Sequence, residues 1–280
     1  MPMDYPFWVN DFDRVKNYRE KYPLAPQIFE QPQAFWYGDV GKPLTKSIKR
    51  LLKRAEPQLP ILVLYNIPNR DIGQFSKGGA GNDVRYLEYV EEFADGVGDS
   101  EPIIIYEPDA LSHSTHLSED EQAWRLQLMK ESLQLLTDKC NGKVYIDVGH
   151  SAWLYYEEVA KLLDIVSNPK VRGFSVNVCN YRTTQESINW GRKICKYRKD
   201  DYFVVDTSRN GQGPLENEWC NPIGRGLGEY PTTNTKHKKC DAYLWVKIPG
   251  ESDGKCNGGP KAGKFWGEQA EELVKNKLKI

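Results

Sequence analysis

The sequence predicts a single α/β domain in which parallel strands alternate with helices. From residue 34 onward, short apolar or β-branched runs alternate with longer stretches of helical period, which is the pattern of a βα fold built on a parallel sheet. The chain has 280 residues, a length that suits one barrel of about 250 residues. No internal repeat, low-complexity tract or linker interrupts the alternation. We therefore expect one domain that spans residues 1–280.

Seven segments are predicted as strands because they are short, apolar and rich in β-branched or aromatic residues. In chain order they are residues 34–37, 61–65, 103–107, 144–147, 171–177, 202–206 and 243–247. Six segments of helical period accompany them, at residues 45–54, 84–94, 119–137, 156–166, 184–197 and 268–278. The clearest is 119–137, where Leu126, Met129 and Leu133 recur at a spacing of three or four residues and form one apolar face.

Composition excludes several classes of partner. The 38 basic and 39 acidic residues leave a net charge of -1, so the chain lacks the basic surface that binds nucleic acid or an anionic membrane. Its longest apolar runs, 61–65 and 103–106, are far shorter than the roughly 18 residues of a spanning helix. We expect a soluble protein with no nucleic-acid partner and no membrane partner.

The six cysteines form no metal-binding or redox motif. They stand at positions 140, 179, 195, 220, 240 and 256 and are never closer than 16 residues, so no C-x-x-C pattern exists. Their even number permits disulfides but does not require them. The start, MPMDYPFW, has neither the basic nor the apolar region of a signal peptide. The protein is therefore either cytosolic or secreted with its signal peptide already removed.

Polar or ionisable side chains follow six successive predicted strands. A single Asp or Asn after a strand is usually a turn former or a helix cap, but six in a row indicate a shared polar face. In a βα barrel the carboxyl ends of the strands form the face that carries the chemistry. The side chains are Arg70 with Asp71, Asp109, His150, Asn180, Arg209, and Glu251 with Asp253.

Aromatic side chains share these strand ends. Aromatic rings complement the C–H-rich faces of sugars, while carboxylates, Asn and Arg bind sugar hydroxyls, so the combination suggests a carbohydrate substrate. Hydrolysis of a glycosidic bond requires a protonated carboxylic acid and a second carboxylate that acts as base or nucleophile. Asp109 and Asp253 are the candidates for these two roles. The aromatic residues are Trp36, Trp153, Tyr156 and Trp219.

The sequence lacks the residue patterns that other hydrolytic mechanisms require. A metal hydrolase needs clustered ligands, yet the chain has 4 His, of which His113 and His116 are the sole close pair. We interpret these two as loop residues. His150 has no nearby partner His, and no G-x-S-x-G turn marks a serine nucleophile. A cytosolic metal hydrolase therefore stays a weaker alternative, which would require metal in the purified protein.

Seven sequence blocks resemble those of glycoside hydrolase family 6, a family of cellulases. They occur in the family's order and cover nearly the whole chain from about Phe7 to its end. The blocks are PILVLYNIPNRD (60–71), YEPDALS (106–112), YIDVGHSAW (145–153), SVNVCNY (175–181), DTSRNGQGP (206–214), EWCNPIGRGLG (218–228) and DAYLWVKIPGESDG (241–254). The resemblance implies a distorted seven-stranded parallel β/α barrel of the TIM type, and hydrolysis of β-1,4-glucan with inversion, without metal or cofactor.

The resemblance also implies catalytic roles. Asp109, the Asp of the EPD triplet, matches the family's general acid, whose pKa must be raised. Asp71, the Asp of the RD pair, is expected to raise that pKa by like-charge repulsion and to help organise the attacking water. Asp253 matches the usual candidate for the base. The catalytic set is completed by Tyr65, Arg70 and Ser76, the last of which corresponds to a serine that carries the water or moves on loop closure.

Substrate-binding roles follow from the resemblance in the same way. Five side chains match positions that bind sugar hydroxyls: His150, Asn177, Asn180, Lys247 and Glu251. Three match aromatic platforms of successive subsites: Trp36, Trp153 and Trp219.

The cysteines depart in part from the family pattern. Many relatives carry a Cys after the RD pair, where this chain has Ile72, so the bridge made by that Cys is absent. The resemblance implies that a second family bridge survives as Cys220–Cys256. It assigns no partner to Cys140, Cys179, Cys195 and Cys240.

Loop lengths favour endo-acting hydrolysis. Cellobiohydrolases of the family roof the cleft with two long loops, whereas here only residues 72–83 and 255–264 occupy these places. We therefore expect an open cleft and an endo-β-1,4-glucanase, secreted and monomeric, whose partner is cellulose. A cellobiohydrolase of the same family is the alternative. A non-catalytic glucan-binding barrel is a distant one, since Asp71, Asp109 and Asp253 are all present.

Overall fold

Seven parallel strands follow one another around a curled sheet in the computed structural model, which describes residues 6–10, 18–38 and 43–278. Each strand pairs with the next along the chain, in the order β1-β2-β3-β4-β5-β6-β7, which confirms the predicted parallel α/β fold. The predicted domain start at residue 1 lies outside the described residues. The strands are β1 Phe35–Tyr37, β2 Ile61–Leu64, β3 Ile103–Tyr106, β4 Lys143–Asp147, β5 Gly173–Val176, β6 Tyr202–Asp206 and β7 Cys240–Leu244.

Helices cover the outer face of this sheet. The described helices are α1 Pro26–Phe29, α2 Leu44–Ala55, α3 Asp83–Val97, α4 Ala110–Ser114, α5 Glu119–Lys139, α6 Tyr156–Val166, α7 Thr184–Tyr197 and α8 Gly267–Lys275, with a 3-10 turn at Asp71–Gly73. Ser118 begins α5 with a capping box to Glu121, which satisfies backbone groups at the helix start. Within the described part of the chain, no helix is both long and apolar enough to cross a membrane.

The barrel is distorted where its two edge strands meet. In the described residues, β1 and β7 do not pair through a ladder of backbone hydrogen bonds. Instead, the N–H of Ala34 donates to the carbonyl oxygen of Trp245 at 3.1 Å, and Trp36 Nε1 donates to the carbonyl oxygen of Val246 at 2.8 Å. The seam therefore brings Trp36 next to the segment that follows β7.

Both faces of the strands are buried. In β2, Leu62 and Leu64 pack with the helices in the outer core, while Ile61 and Val63 belong to the core inside the barrel. A strand buried on both faces is a continuous apolar run, which is why the sequence located most strands correctly. This double core gives the strand ends a rigid support.

The prediction for the last strand was wrong by three residues. The apolar run of residues 243–247 suggested a strand, but β7 begins at Cys240 and ends at Leu244. Beyond Leu244 the N–H groups of Val246 and Lys247 donate to the carboxylate of Asp206 at 3.4 and 3.0 Å, so the chain leaves the sheet. The helices α1 and α4 were not predicted, because four and five residues are too few to show a period.

Candidate active site

A cleft opens at the carboxyl ends of the strands. Its volume is about 690 Å³. Thirteen of the fourteen predicted site residues line it, so side chains far apart in the sequence meet there. They are Trp36, Tyr65, Arg70, Asp71, Ser76, Asp109, His150, Trp153, Asn180, Trp219, Lys247, Glu251 and Asp253.

Asp109 lies in the cleft just beyond the end of β3. Its backbone is left-handed, with φ of 67°, and its N–H donates to Asp147 Oδ2 at 2.8 Å. Burial is the largest cause that raises the pKa of Asp109 well above its ordinary value, followed by the negative charges of Asp147, Asp71 and Asp253. A carboxyl group that stays protonated in this way can donate a proton to a leaving group.

The carboxyl group that accepts the hydrogen bond from the N–H of Asp109 belongs to Asp147, which is fully buried. Asp147 ends β4 and also accepts hydrogen bonds from the hydroxyl of Ser175 at 3.1 Å and the N–H of Gly149 at 3.3 Å. Burial raises the pKa of Asp147 to about 7. The sequence attributed the raised pKa of Asp109 to Asp71, but burial and Asp147 both contribute more than Asp71 does.

Asp71 lies in a strained turn after β2. Asn69, Asp71 and Ile72 have φ of 53°, 59° and 44°, a region that residues other than glycine rarely occupy. Asp71 Oδ2 accepts a hydrogen bond from the N–H of Ser76 at 2.6 Å, so these two predicted residues are in contact. Burial raises the pKa of Asp71, while the Ser76 hydrogen bond and the charge of Arg70 oppose the rise.

Arg70 joins this turn to the aromatic wall of the cleft. Its Nη1 donates to the carbonyl oxygen of Tyr65 at 2.8 Å and its Nε to that of Ser76 at 2.9 Å. The guanidinium carbon lies 4.7 Å from the centre of the Tyr65 ring, and Trp36 meets that ring edge-on at 5.3 Å. Burial, followed by the charge of Asp109, raises the pKa of Tyr65, so the phenol stays a hydrogen-bond donor.

Asp253 is an ionised carboxylate held by two cations. Arg209 Nη1 lies 2.9 Å from Oδ2 and Lys247 Nζ lies 3.2 Å from Oδ1. Oδ2 also accepts hydrogen bonds from the hydroxyl of Tyr181 at 3.2 Å and the N–H of Asn221 at 3.0 Å. Burial by itself would raise the pKa of Asp253, but the charges of Arg209 and Lys247 outweigh it and lower that pKa to about 2.

Three histidines surround the Trp153 ring. The rings of His113, His116 and His150 lie 5.0, 6.4 and 5.7 Å from it, centroid to centroid. Burial lowers the pKa of His113 and of His150 to about 4, so both are neutral at ordinary pH. The loop interpretation of His113 was wrong, since His113 is buried in α4 and lines the cleft. In the described ranges, no group of three or more His, Cys, Asp or Glu side chains is placed to hold a metal ion.

Trp219 and Phe75 meet across the mouth of the cleft. Each is 48% exposed, and their ring centroids are 6.0 Å apart. Phe75 also packs on Gly254, where an added Cβ would come within 2.4 Å of the ring. The loops after β2, β6 and β7 are therefore in contact. The sequence did not indicate Phe75, because its loop has no periodic pattern.

Asn177 is the predicted residue that does not line the cleft. Its side chain is fully buried; Nδ2 donates to the carbonyl oxygen of Asp206 at 2.8 Å, and Oδ1 accepts from the N–H of Arg182 at 2.9 Å. Asn180 does line the cleft, and its Nδ2 donates to the carbonyl oxygen of Val178 at 2.8 Å. Asn177 thus supports the cleft wall from behind.

The sequence matches the model of one known protein family. The model described as glycosyl hydrolases family 6 matches residues 10–277. The chain belongs to glycosyl hydrolase family 6. This membership confirms the resemblance that the seven sequence blocks indicated.

Several family 6 relatives are endoglucanases. Endoglucanase A of Cellulomonas fimi is 40% identical over 257 residues, which are 90% of this chain and 56% of that protein. Endoglucanase 1 of Streptomyces sp. (strain KSM-9) is 37% identical over 258 residues, which are 90% of this chain and 71% of that protein. The probable 1,4-beta-D-glucan cellobiohydrolase C of Aspergillus fumigatus (strain ATCC MYA-4609) is 29% identical over 286 residues, 84% of this chain and 63% of that protein. The chain thus spans only part of each relative.

Solved structures of family 6 show the same fold. The endoglucanase Cel6 from Mycobacterium tuberculosis, in complex with methyl-cellobiosyl-4-deoxy-4-thio-beta-D-cellobioside, matches with a TM-score of 0.93 at 37% identity, over 98% of both chains. Endoglucanase CEL6B from Humicola insolens matches with a TM-score of 0.78 at 26% identity, over 98% of this chain and 97% of that one. The distorted seven-stranded barrel is therefore confirmed.

The disulfide that the family resemblance implied is also confirmed. Cys220 and Cys256 are bonded; their Cα atoms are 6.2 Å apart, and their sequence separation is 36. The bond ties the Trp219 loop to the segment after Asp253. The remaining cysteines of the described chain are free thiols: Cys140, Cys195 and Cys240 are buried, and Cys179 lines the cleft.

Two partners of Asp253 were not selected from the sequence. Arg209 was recognised only as a polar residue after a strand, and Tyr181 was not considered. Their contacts with Asp253 span 44 and 72 positions, so no local pattern encodes them. The available signal for Arg209 was its position shortly after a predicted strand.

Proposed function

We propose that this chain is an endo-β-1,4-glucanase that hydrolyses cellulose with inversion at the anomeric carbon. The observation that carries the proposal is a cleft with two carboxyl groups whose pKa values are shifted in opposite directions. The pKa of Asp109 is raised well above its ordinary value, and that of Asp253 is lowered to about 2. Such a pair supplies a protonated acid and an ionised carboxylate at the same pH.

In this mechanism Asp109 donates its proton to the glycosidic oxygen as the bond to the anomeric carbon breaks. Asp71 and Ser76, which are joined by a 2.6 Å hydrogen bond, position the water that attacks the opposite face of the sugar. The negative charge of Asp71 is one of the causes that keep Asp109 protonated. The hydrogen bond from the backbone N–H of Asp109 to Asp147 keeps the residue in place before and after proton transfer.

Asp253 is the proposed base. Oδ2 accepts three hydrogen bonds, whereas Oδ1 contacts Lys247 Nζ in the described chain. Oδ1 is therefore the oxygen proposed to face the water molecule. Arg209 and Lys247 stabilise the anion, so Asp253 is ionised at ordinary pH but weakly basic. We therefore propose that the proton reaches Asp253 late, as the bond to the leaving group breaks.

The substrate chain is proposed to lie along the aromatic residues of the cleft. Trp36, Trp153 and Trp219 present ring faces or edges to the sugar rings, and His150, Asn180, Lys247 and Glu251 bind hydroxyls. Asn177 has the indirect role of supporting this wall. The identity to two endoglucanases, 40% and 37%, against 29% to a cellobiohydrolase, supports endo cleavage.

A cellobiohydrolase is the second candidate, favoured by the contact between Phe75 and Trp219 across the cleft mouth. The test is viscometry of carboxymethyl cellulose combined with a reducing-sugar assay, with Asp109→Ala as the inactive control. Endo cleavage predicts a fast fall in viscosity for little sugar released. Cellobiose as nearly the sole early product, with viscosity maintained, would favour the second candidate.

We further propose that the protein is secreted and monomeric. The Cys220–Cys256 disulfide suits an oxidising compartment. Light scattering of the purified chain should give one copy of 32.2 kDa, and a larger mass would contradict the monomer.

A further inference from the structure

The strained turn that carries Asp71 rests on four residues, 66–69, which we name the base segment. Asn69, Asp71 and Ile72 have positive φ, and such conformations persist only where the surrounding structure imposes them. The far end of the loop docks on the same segment, because the N–H of Ala80 donates to the carbonyl oxygen of Asn66 at 2.9 Å. The position of Asp71 therefore depends on what holds the base segment.

Glu107 holds the N–H groups of the base segment. Its Oε1 accepts from the N–H of Asn66 at 2.9 Å, and its Oε2 from the N–H of Ile67 at 3.1 Å. The hydroxyl of Tyr86 donates to Oε1 at 2.9 Å. Glu107 is fully buried and stands two positions before Asp109, so the short stretch of chain that carries Asp109 also holds the segment beneath Asp71.

Arg125 holds the carbonyl groups of the same segment from α5. Its Nη2 donates to the carbonyl oxygen of Pro68 at 3.0 Å and to that of Asn69 at 3.3 Å. The side chain is 1% exposed. A buried guanidinium is costly unless its charge and donors are satisfied, and the two bonds from Nη2 to the base segment meet part of that requirement. Burial lowers the pKa of Arg125, and the negative charge of Glu107 opposes that lowering.

We propose that Glu107 and Arg125 are positioning residues that clamp the base segment from its N–H and its C=O sides and thereby set the place of Asp71 and Ser76. Neither side chain lines the cleft. Only the expected effect of this clamp on the reaction rate depends on the proposed function. Its effect on the base segment is independent of which reaction the cleft performs.

The test uses Glu107→Gln, whose amide nitrogen cannot accept the backbone N–H bonds. Tyr86→Phe is the matched control, since it removes a buried hydrogen bond to Glu107 but leaves Asn66 and Ile67 bound. Arg125→Lys probes the other side of the clamp, because it keeps the charge with a single nitrogen. Each variant is measured for kcat and KM on cellohexaose, for Tm, and for amide hydrogen exchange of a peptide that covers residues 64–72.

The clamp predicts that Glu107→Gln lowers kcat at least tenfold with KM within threefold, and speeds exchange in the 64–72 peptide. Arg125→Lys should lower kcat about threefold to tenfold, whereas Tyr86→Phe keeps kcat within twofold and exchange unchanged even where Tm falls. If Glu107→Gln does not fold, Arg125→Lys decides the question by the same measurements.

Two results would overturn the clamp. One is wild-type kcat and exchange in both clamp variants, and the other is an equal loss of kcat in Tyr86→Phe at an equal drop in Tm. A wild-type chain without activity on cellohexaose would instead defeat the proposed function, and the exchange measurement would still decide the clamp.

Discussion

Replacing Asp253 with asparagine should destabilise the fold by an amount that depends on pH. Asp253 is 8% exposed at its side chain and lies between Arg209 and Lys247. The substitution keeps the shape of the side chain and removes its charge. Arg209, which is 1% exposed, then loses its counter-ion. This lowers the unfolding free energy further, by an amount that does not depend on the titration of Asp253.

The pH-dependent part follows from the pKa of Asp253. A fall from 3.8 to about 2 corresponds to about 2.4 kcal/mol of unfolding free energy. Because the folded-state pKa is depressed, this stability is present above the unfolded pKa and is lost as pH falls through about 2. The same relation gives about 2.4 kcal/mol at pH 6 and about 1.3 kcal/mol at pH 3.

The assay is urea unfolding of wild type and Asp253→Asn at pH 6 and pH 3, followed by tryptophan fluorescence. The difference in unfolding free energy between the two proteins should be about 1 kcal/mol larger at pH 6 than at pH 3. Asp200→Asn, at an exposed carboxylate between α7 and β6, is the control and should change stability by less than about 0.5 kcal/mol at either pH. An equal difference at both pH values would refute the account of the Asp253 ion pairs.

Three further outcomes are expected. Asp109→Asn should lower kcat on cellohexaose by about 10²- to 10⁴-fold and abolish the alkaline limb of the pH–rate profile, because that limb reports loss of the acid's proton; retained wild-type rates would contradict its role. Replacing Cys220 and Cys256 together by serine should cost about 3 to 4 kcal/mol in chemical unfolding, since the bond closes a loop of 36 positions, and unchanged stability would argue against the bridge. Ile72→Gly should raise the unfolding free energy by about 1 kcal/mol by relieving the φ of 44°, and a loss of stability would show that Ile72 is not strained.

The strands and the cleft were predictable because their causes are local. A strand buried on both faces is an apolar run whatever its neighbours are, and a polar residue after it marks the carboxyl end of the sheet. The last strand was misplaced because Trp245 and Val246 continue such a run, although the N–H groups of Val246 and Lys247 bind the side chain of Asp206 instead of the backbone of β6. The sequence shows whether a side chain is apolar or polar, but not which group the backbone N–H of that residue will bind.

The electrostatics of the cleft were not predictable in the same way. Asp109, Asp147 and Asp253 are all carboxyl groups that follow or end strands, and burial acts to raise the pKa of each. The pKa values of Asp109 and Asp147 are indeed raised, but the charges of Arg209 and Lys247 lower that of Asp253. Those neighbours are separated by 38 positions for Asp109 with Asp147 and by 44 for Asp253 with Arg209. Such contacts depend on the folded barrel.

The proton NMR spectrum of fresh cellohexaose hydrolysate tests the two-carboxyl mechanism most directly. If Asp109 acts as acid and Asp253 as base in a single displacement, the new reducing end forms first as the α-anomer and then equilibrates to the β-anomer. Initial formation of the β-anomer would require a covalent intermediate or another route with retention, and would contradict the roles assigned to these carboxyl groups.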